Sequence, residues 1–432
     1  MTDGFRVAVV GAGPSGSALA ALLAARGADV TLFDDGRRPE LVVGESLVPA
    51  VVPILRRLGV EEATAGCSLA KPGVTFIWSE TDRFGFTFAR FSPDVFPYAY
   101  NVPRPQFDEV IAARAAAAGV TRVGVRARLE APRGAGGAEL ALARESLDAA
   151  PSLGGRQPDL IVDATGRARL SARVLGIGAD VGPRRDVAHF GHFEDFHWEE
   201  PPGQVLIRRR AGGGWSWCIP LQGRLSVGIV VGQEAAATLG RTPEERLARA
   251  IETDPWLGAI VKGGKRVTPV VTYTNYQLIS RRGVGPGWVA AGDAFGFVDP
   301  MLSPGVFLAL HSAETIADAL APAVDRPSER APARIASLLA PYAVAHRAAL
   351  AAWQELVGQF YDGRMMALMQ AGQDWVATGK GLFKDALQRH IERHVALQAS
   401  GMRTTSRYSR GLLRFLARHG LRGVRPEDMA IG

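Results

Sequence analysis

The chain contains few cysteines and few lysines for its length of 432 residues. Its two cysteines, Cys67 and Cys218, are far apart and lack the spacing of metal ligands. This pattern excludes a disulfide framework and a cysteine-based zinc site, and it favours reduced thiols in a cytoplasmic protein. The positive charge is nearly all arginine, and Lys71 is the only lysine in the first 261 residues.

The sequence also lacks a cleavable basic leader and an apolar run that could span a membrane without charges or helix breakers. We therefore expect no signal peptide and no membrane insertion. From Met402 onward, seven arginines face only Glu427 and Asp428. This basic segment is either a solvated surface or a docking surface for an acidic protein. No nucleic-acid-binding module accompanies the charge, so we do not expect a nucleic-acid partner.

The N-terminal residues predict a βαβ unit. Residues 5–10 are typical of a buried strand, a helix follows from Ser15 to Arg26, and Val30–Phe33 is typical of a second strand. The turn between the first strand and the helix has the GxGxxG spacing, formed by Gly11, Gly13 and Gly16. A glycine pattern in this context predicts a dinucleotide site.

Each glycine of the motif has its own physical task. The first permits a tight turn, the second lets the backbone approach a pyrophosphate, and the third allows close packing of helix on strand. Ser15 lies at the start of the helix, whose N-terminus faces the phosphates. Asp34 ends the second strand at the distance expected for a ribose-binding carboxylate, with Asp35 as the neighbouring alternative.

Three later segments narrow the nucleotide to FAD by resemblance. They are Arg104-x-x-Phe107-Asp108, Asp163-Ala-Thr-Gly166-Arg and Gly292-Asp293-Ala-Phe-Gly-Phe-Val-Asp299-Pro300. Together they resemble the flavoprotein hydroxylase superfamily, whose members have a glutathione-reductase-type FAD fold. The resemblance implies that Arg104, Asp163, Gly166 and Asp293 help to bind FAD. It also implies that the turn from Pro300 to Gly305 lies beside the isoalloxazine ring.

The chain shows no second GxGxxG, so no dedicated NADPH domain is expected. We therefore expect a separate NAD(P)H-dependent flavin reductase to supply reduced FAD. The fold class is α/β: a Rossmann-type FAD-binding domain, an antiparallel β-sheet substrate domain and a helical C-terminal region with one break near Gly379–Gly381. The predicted boundaries are 1–180 with 281–330, 181–280, and 331–432 for these three parts.

Further segments resemble the flavin-dependent halogenases. These are Gly44-Glu45-Ser46-Leu47-x-Pro49, Lys71-Pro-Gly-x-Thr-Phe-x-Trp78, Phe360-Tyr361-Asp362, and Trp215-Ser-Trp217-Cys-Ile219-Pro220, which matches their WxWxIP signature. In that family the tryptophan segment forms a wall between flavin and substrate. The sequence is also similar to the flavoproteins that hydroxylate a tryptophan side chain during biogenesis of quinohemoprotein amine dehydrogenase.

Lys71 and Glu45 are the candidate catalytic residues. A primary amine can shift its pKa, donate a proton or hold an oxidised halogen, which a guanidinium does poorly. In halogenases the matching lysine directs hypohalous acid to the substrate. Glu45 could polarise a substrate or serve as a base, and the alternative is a carboxylate at a helix N-terminus. His189 and His192 lie three apart on a predicted strand and so face opposite ways, and no metal site is predicted.

One departure from the halogenase pattern is Pro304. Halogenases place serine or threonine before the glycine of this turn, and halide binding depends on that backbone. Proline removes an N–H and fixes φ, which counts against an anion pocket. The first hypothesis is therefore a monooxygenase that hydroxylates an indole or phenol, free or on a peptide or protein, through a flavin C4a-hydroperoxide.

The alternative hypothesis is a halogenase of an indole, pyrrole or phenol, including one carried on a protein. Two weaker hypotheses remain: a reductase similar to geranylgeranyl reductases, and a non-catalytic flavin-binding module.

Overall fold

The computed structural model describes residues 4–39, 41–132, 137–275, 277–378, 384–421 and 423–432. Their strands are β1 Arg6–Val10, β2 Asp29–Phe33, β3 Leu69–Lys71, β4 Gly73–Ile77, β5 Arg83–Thr87, β6 Ala99–Asn101, β7 Thr121–Val123, β8 Leu129–Glu130, β9 Ala141–Leu142, β10 Leu160–Asp163, β11 Ala179–Val181, β12 Asp186–Glu194, β13 Val205–Arg209, β14 Trp215–Leu221, β15 Arg224–Gly232, β16 Lys265–Arg266, β17 Val271–Asn275, β18 Leu278–Ser280, β19 Val284–Gly285, β20 Trp288–Ala290 and β21 Gly296–Phe297.

The α-helices are α1 Pro14–Ala25, α2 Val51–Leu58, α3 Glu61–Cys67, α4 Arg104–Ala117, α5 Arg144–Asp148, α6 Leu170–Val174, α7 Gln233–Leu239, α8 Pro243–Glu252, α9 Pro255–Ile260, α10 Pro304–Ala319, α11 Ala321–Asp325, α12 Pro332–Tyr361, α13 Arg364–Thr378, α14 Lys384–Ala399, α15 Arg407–His419 and α16 Pro426–Met429. Several begin with proline in the first turn, where its missing N–H has no partner to lose.

The nucleotide-binding sheet has the strand order β19-β20-β10-β1-β2-β7, and β19 pairs antiparallel with β20 in an otherwise parallel arrangement. Strand β1 lies inside the sheet, with Val7 beside Leu160 on one side and Val30 on the other. Its apolar run suits this place because both faces of a parallel sheet are covered. Helix α1 follows β1 and packs against α4 and α10, so its N-terminus lies at the carboxyl edge of the sheet.

The second sheet has the order β16-β12-β15-β14-β13-β4-β5, with β17 beside β12. Side chains alternate between its two faces. Trp215, Trp217 and Ile219 belong to the main core, whereas Cys218 packs in a separate cluster under α7, α8 and α9. The sheet therefore presents one face to the nucleotide-binding domain and covers the other with its own helices.

The predicted substrate domain needs two corrections. Strands β4 and β5 belong to the second sheet, because β4 pairs parallel with β13, so the substrate domain is not confined to residues 181–280. The same range also contains three helices, α7 to α9, that were predicted as part of a strand-rich sheet. Pairing between segments distant in sequence decides both points, and local pattern does not report it.

The C-terminal region is helical, as predicted, but it breaks between Tyr361 and Arg364, where Gly363 adopts φ of 78°. The predicted break near Gly379–Gly381 lies outside the described residues. Helix α12 is long and apolar enough to cross a membrane by length and composition, which the sequence prediction did not allow for. In the structure it buries Trp353, Phe360 and other side chains in the main core.

Candidate functional site

Two neighbouring cavities lie between the sheets. The nucleotide cavity, of about 210 Å³, lies at the carboxyl edge of the parallel sheet. Its walls come from the glycine turn, the loop after β2, strands β13 and β14, and the start of α10. Those of its lining residues predicted from the sequence are Gly13, Ser15, Glu45, Arg104, Gly166, Trp215, Trp217, Ile219, Asp293, Pro300 and Gly305.

The three glycines of the motif have different roles, as their spacing predicts. A Cβ on Gly11 would lie 2.5 Å from the Ala164 carbonyl oxygen, and one on Gly16 would lie 1.9 Å from the Gly11 oxygen. Both glycines are therefore needed by the packing of the chain itself. A Cβ on Gly13 would meet no protein atom within 4 Å, although Gly13 lines the cavity. The open space at Gly13 fits a pyrophosphate that approaches the backbone.

Asp293 supplies a carboxylate to the same cavity. Burial raises its pKa to about 6, against the opposing influence of Arg167 and Arg104. Within the described part of the chain, no hydrogen bond reaches this carboxylate. A sugar-alcohol hydroxyl would provide the missing donor. Arg104 is held by Asp108, with Nε 2.9 Å from Oδ1, and also donates to the Val43 carbonyl. These residues fit the ribityl and phosphate groups of FAD.

Two predicted FAD contacts have other roles in the structure. The Asp163 carboxylate is fully buried and accepts four hydrogen bonds, from the backbone N–H and hydroxyl groups of Thr165 and Ser171. It shapes the turn that places Gly166 at the cavity and does not line the cavity itself. Asp34 ends β2 but is paired with Arg38 and Arg122. Both arginines donate to Oδ2, so a ribose hydroxyl would bind at Oδ1, which also accepts the Gly36 N–H.

Glu45 lies in the nucleotide cavity and not beside Lys71. Its Oε1 is 2.7 Å from Nε2 of His192, and both side chains are 4% exposed. His189, on the opposite face of β12, has Nδ1 2.9 Å from the Thr272 hydroxyl. The two candidate catalytic residues of the sequence, Glu45 and Lys71, therefore line different cavities. The link from Glu45 to His192 joins residues 147 positions apart, and no local pattern predicts it.

The tryptophan wall faces the nucleotide cavity. Trp215 and Trp217 are in contact, with ring centroids 5.7 Å apart, and Trp215 Nε1 donates to the Tyr361 hydroxyl at 3.0 Å. The next residue along β14 after Ile219, Pro220, is buried but lines neither cavity. The wall was predicted to separate flavin from substrate, and in the structure a different set of residues stands between the two cavities.

The lysine cavity, of about 60 Å³, is the second cavity, and Lys71 is its only titratable residue within the described chain. The Lys71 side chain is 5% exposed, donates to the Leu47 carbonyl at 3.0 Å and lies 5.5 Å from the centre of the Phe88 ring. Burial lowers its pKa to about 7. The rest of the lining is apolar or small: Val48, Val74, Phe76, Phe86, Phe88, Phe91, Val205, Ile207, Leu302, Ser303, Phe360, Met369, Val395, Ala396, Ala399 and Ser400.

Four residues line both cavities: Val205, Ile207, Leu302 and Ser303. The first two lie on β13, and the last two form the turn before α10. Leu302 and Ser303 have φ of 65° and 58°, a region that non-glycine residues seldom adopt. Strained backbone of this kind concentrates at functional sites. The turn is thus the partition between the nucleotide cavity and the amine of Lys71.

Sequence reasoning missed most of the lysine cavity. Its phenylalanines come from β4, β5, the turn after β5 and α12, and Val395 and Ala396 come from α14. The Phe84-x-Phe86-x-Phe88 alternation predicts an aromatic face on a strand, and two of these residues, Phe86 and Phe88, line the cavity. The helical residues carry no comparable signal, because an apolar helix position is usually plain core.

The basic C-terminal segment is not a free tail. Arg410 and Arg414 both pair with Glu355, and Arg425 pairs with Asp428. Arg407 and Arg418 are exposed on α15. Within the described residues, no group of three His, Cys, Asp or Glu side chains is arranged to hold a metal ion.

Comparison with known proteins gives the family. The family model for tryptophan halogenase matches residues 6–96 and 90–333. A tryptophan 2-halogenase of Chondromyces crocatus is 34% identical over 318 residues, which cover 71% of this chain and 59% of that protein. A 1H-pyrrole-2-carbonyl-[peptidyl-carrier protein] chlorinase of Pseudomonas fluorescens is 27% identical, covering 72% of this chain and 74% of that protein.

The alignment to a flavin-dependent halogenase of Penicillium aethiopicum covers 62% of that relative, so the chain spans about three fifths of several curated relatives. Among solved structures, the myxobacterial chondrochloren halogenase CndH is 26% identical, with a TM-score of 0.72 and 99% of both chains covered. The flavin-dependent brominase Bmp2 has a TM-score of 0.74 at 21% identity, covering 96% of this chain and 98% of that one, and therefore supports the fold.

These relatives favour halogenation, the alternative hypothesis, over the hydroxylation placed first from the sequence. The narrower resemblance to tryptophan-hydroxylating flavoproteins stays a prediction. The α/β fold with a Rossmann-type FAD-binding domain is confirmed by the solved structures. With the FAD-binding motifs, the two cavities and the family match in agreement, the chain belongs to the tryptophan halogenase family of FAD-dependent oxidoreductases.

Proposed function

We propose that this enzyme halogenates an electron-rich aromatic ring held in the lysine cavity. The observation that carries the proposal is the buried amine of Lys71, enclosed by apolar side chains and separated from the nucleotide cavity by one turn of backbone. When bound, reduced FAD with dioxygen and halide X⁻ supplies the oxidising power, in the balance FADH⁻ + O₂ + X⁻ + 2H⁺ → FAD + HOX + H₂O. The chain itself must guide HOX to the substrate.

Lys71 is suited to hold the electrophilic halogen. With its pKa lowered to about 7, a large fraction of the amine is neutral at physiological pH and has a free lone pair. It can exchange a proton for halogen, R-NH₂ + HOX → R-NHX + H₂O, and return to R-NH₂ when the ring takes the halogen and releases its proton. The phenylalanines around it exclude water, which would otherwise quench the reactive species.

Pro304 does not remove the attraction for an anion. It occupies the first position of α10, where an N–H has no partner inside the helix and where proline is well tolerated. Gly305, the next residue, keeps its N–H and lines the nucleotide cavity. The positive end of α10 therefore still faces the cavity in which halide would be consumed.

The lining of the lysine cavity favours an uncharged indole, pyrrole or phenol, because it offers no second charged group within the described residues. Related proteins include a tryptophan 2-halogenase and a chlorinase of a pyrrole on a peptidyl carrier protein. We therefore include both free and protein-carried aromatics as substrates. A separate NAD(P)H-dependent flavin reductase and a cytoplasmic location complete the proposal.

The test supplies the purified enzyme with FAD, a flavin reductase, NADH, oxygen and a panel of indoles, pyrroles and phenols, with chloride, with bromide or with neither. The expected result is a halide-dependent product whose mass increases by one halogen in place of one hydrogen. Products that gain one oxygen regardless of halide would overturn the proposal and restore hydroxylation.

A further inference from the structure

We infer that Glu45 is an acid–base group of the FAD site and that His192 is the residue that positions it. The pair would act on FAD and not on the aromatic substrate. The inference depends on FAD binding but is independent of the halogen chemistry proposed above. Its starting observation is that a carboxylate predicted to serve the substrate lies instead in the nucleotide cavity, bonded to a buried imidazole.

The geometry fixes the pair from both sides. Glu45 comes from the loop between β2 and α2, and its carbonyl accepts from Val102 N–H at 2.6 Å. His192 comes from β12 of the second sheet, and its N–H donates to the Thr268 hydroxyl at 2.9 Å. The hydrogen bond between the two side chains therefore joins this loop to the second sheet at the wall of the nucleotide cavity. Such a bond holds the carboxylate at one place in the cavity wall.

The polar atoms of the pair that have no partner point to a ligand of the cavity and to the tautomer of His192. Within the described residues, Oε2 of Glu45 has no hydrogen-bond partner, and Glu45 lines the cavity. Nδ1 of His192 is buried and also lacks a partner. A proton on Nδ1 would be a buried donor without an acceptor, so the less costly arrangement is a neutral imidazole whose proton is on Nε2 and is donated to Oε1. Oε2 remains available to the contents of the cavity.

The FAD site needs a proton donor of this kind. Reoxidation of reduced FAD by dioxygen, FADH⁻ + H⁺ + O₂ → FAD + H₂O₂, consumes one proton even without halide or substrate. In the proposed step the proton is carried on Oε2 of Glu45: this O–H bond breaks as the proton is transferred to the reduced oxygen, and a proton from solvent restores it. The Nε2–H of His192 stays bonded to Oε1 throughout, so the imidazole remains neutral. A carboxyl group held in one position in this way can act as a general acid.

Other charged or titratable groups lie near Glu45 and His192 and could contribute to the pH dependence of reoxidation. Arg104 and Asp293 line the same cavity, and Tyr273 from β17 interacts electrostatically with both Glu45 and Arg104. Arg266, from β16, lies beside Gly191 next to His192. None of these is hydrogen-bonded to the pair within the described chain.

The experiment compares Glu45→Gln and His192→Gln with the matched control His189→Gln, which alters the buried histidine on the other face of the same strand. Glutamine keeps a polar group near the position of Nε2 but does not titrate. Three quantities are measured without halide or substrate: the Kd for FAD, the midpoint potential of bound FAD, and the rate of reoxidation by oxygen from pH 5.5 to 9.

We expect Kd to stay within about threefold in all variants. Reoxidation should slow at least about tenfold and lose its pH dependence in Glu45→Gln. In His192→Gln the pH dependence should shift without being lost, because glutamine can still donate to Oε1. The midpoint potential should change less with pH in Glu45→Gln than in the unaltered enzyme, because this variant lacks the group that exchanges a proton beside the flavin.

Unchanged pH profiles and potential in both variants would mean that the pair is purely structural. Loss of FAD binding in Glu45→Gln alone would assign the carboxylate to binding and would also refute the inference. Because no halogenated product is measured, these outcomes do not depend on whether the enzyme is a halogenase.

Discussion

The nucleotide cavity and the lysine cavity share a wall but are formed by different parts of the protein. The first is formed largely by backbone and by short motifs, such as the glycine turn and the start of α10. The second is formed by side chains from β3 to β5, α12, α13 and α14, with Lys71 buried among them. The comparison shows that a site for a cofactor used by many enzymes can be built from motifs that are contiguous in the sequence. The lysine cavity, by contrast, depends on packing between side chains that are far apart in the sequence.

The cavities also treat charge differently. In the nucleotide cavity, Arg104, Asp293 and the Glu45–His192 pair place charges of both signs around a polar ligand. In the lysine cavity, burial without a counter-charge lowers the pKa of Lys71 to about 7. The first arrangement stabilises bound charges, and the second keeps an amine in its reactive neutral form.

Removal of the amine should produce the largest difference between the cavities. We expect Lys71→Met to lower halogenated product at least about 1,000-fold, because the carrier of the electrophile is gone. FAD binding should be unaffected, and oxygen uptake should continue with release of hydrogen peroxide. Product mass, FAD titration and peroxide measurement check this. Exposed Lys262→Met is the control, and full activity of Lys71→Met would remove the lysine cavity from the mechanism.

A change confined to the nucleotide cavity should have the opposite effect and weaken the binding of FAD. We expect Gly13→Val to weaken FAD binding about 100-fold, or about 2.7 kcal/mol, because its side chain fills the space left for the pyrophosphate. The melting temperature of the FAD-free protein should hardly change, since a Cβ there meets no protein atom within 4 Å.

Gly16→Ala is the contrasting variant for the same motif. Its methyl group would lie 1.9 Å from the Gly11 oxygen, so we expect it to lower the melting temperature even without FAD. Equal effects of Gly13→Val and Gly16→Ala on the FAD-free protein would contradict the distinction between ligand space and packing.

The rate of halogen transfer should depend on pH, with a smaller effect than that of the substitutions above. This dependence distinguishes the neutral form of Lys71 from the protonated form. With a pKa of about 7, the neutral fraction of the amine rises from about 9% at pH 6 to about 91% at pH 8, so the rate of halogen transfer should rise about tenfold. Single-turnover measurements with added HOX isolate this step. A rate that falls across the same range would show that the ammonium form acts, as a proton donor.

The same pKa has a consequence for stability. Between about pH 7 and 10.5 the unfolded chain binds a proton on Lys71 that the folded chain does not, so the free energy of unfolding should rise with pH in this window. Lys71→Met should lack that rise and should gain most in stability near and below pH 7. Urea denaturation of both proteins at several pH values measures the difference.

Much of the FAD site follows from local sequence. The glycine spacing, the helix after it, and the segments at Arg104, Asp293 and Pro300 each act over a few residues, so their pattern predicts their place. The failures are informative in the same terms. Asp163 has the position that its motif predicts, but its carboxylate accepts hydrogen bonds from Thr165 and Ser171. A sequence does not show which hydrogen-bond partners a buried side chain will have in the folded protein.

By itself, the sequence determined the βαβ nucleotide site, the candidate FAD motifs and the singular status of Lys71 among arginines. Only the tertiary structure decided that Lys71 lies in an apolar cavity, that Glu45 belongs to the FAD site with His192, and that the turn at Leu302 and Ser303 divides the two cavities. The reason is physical. Motifs reflect contacts between near neighbours in the chain, whereas burial, pKa and pairing depend on segments brought together from far apart.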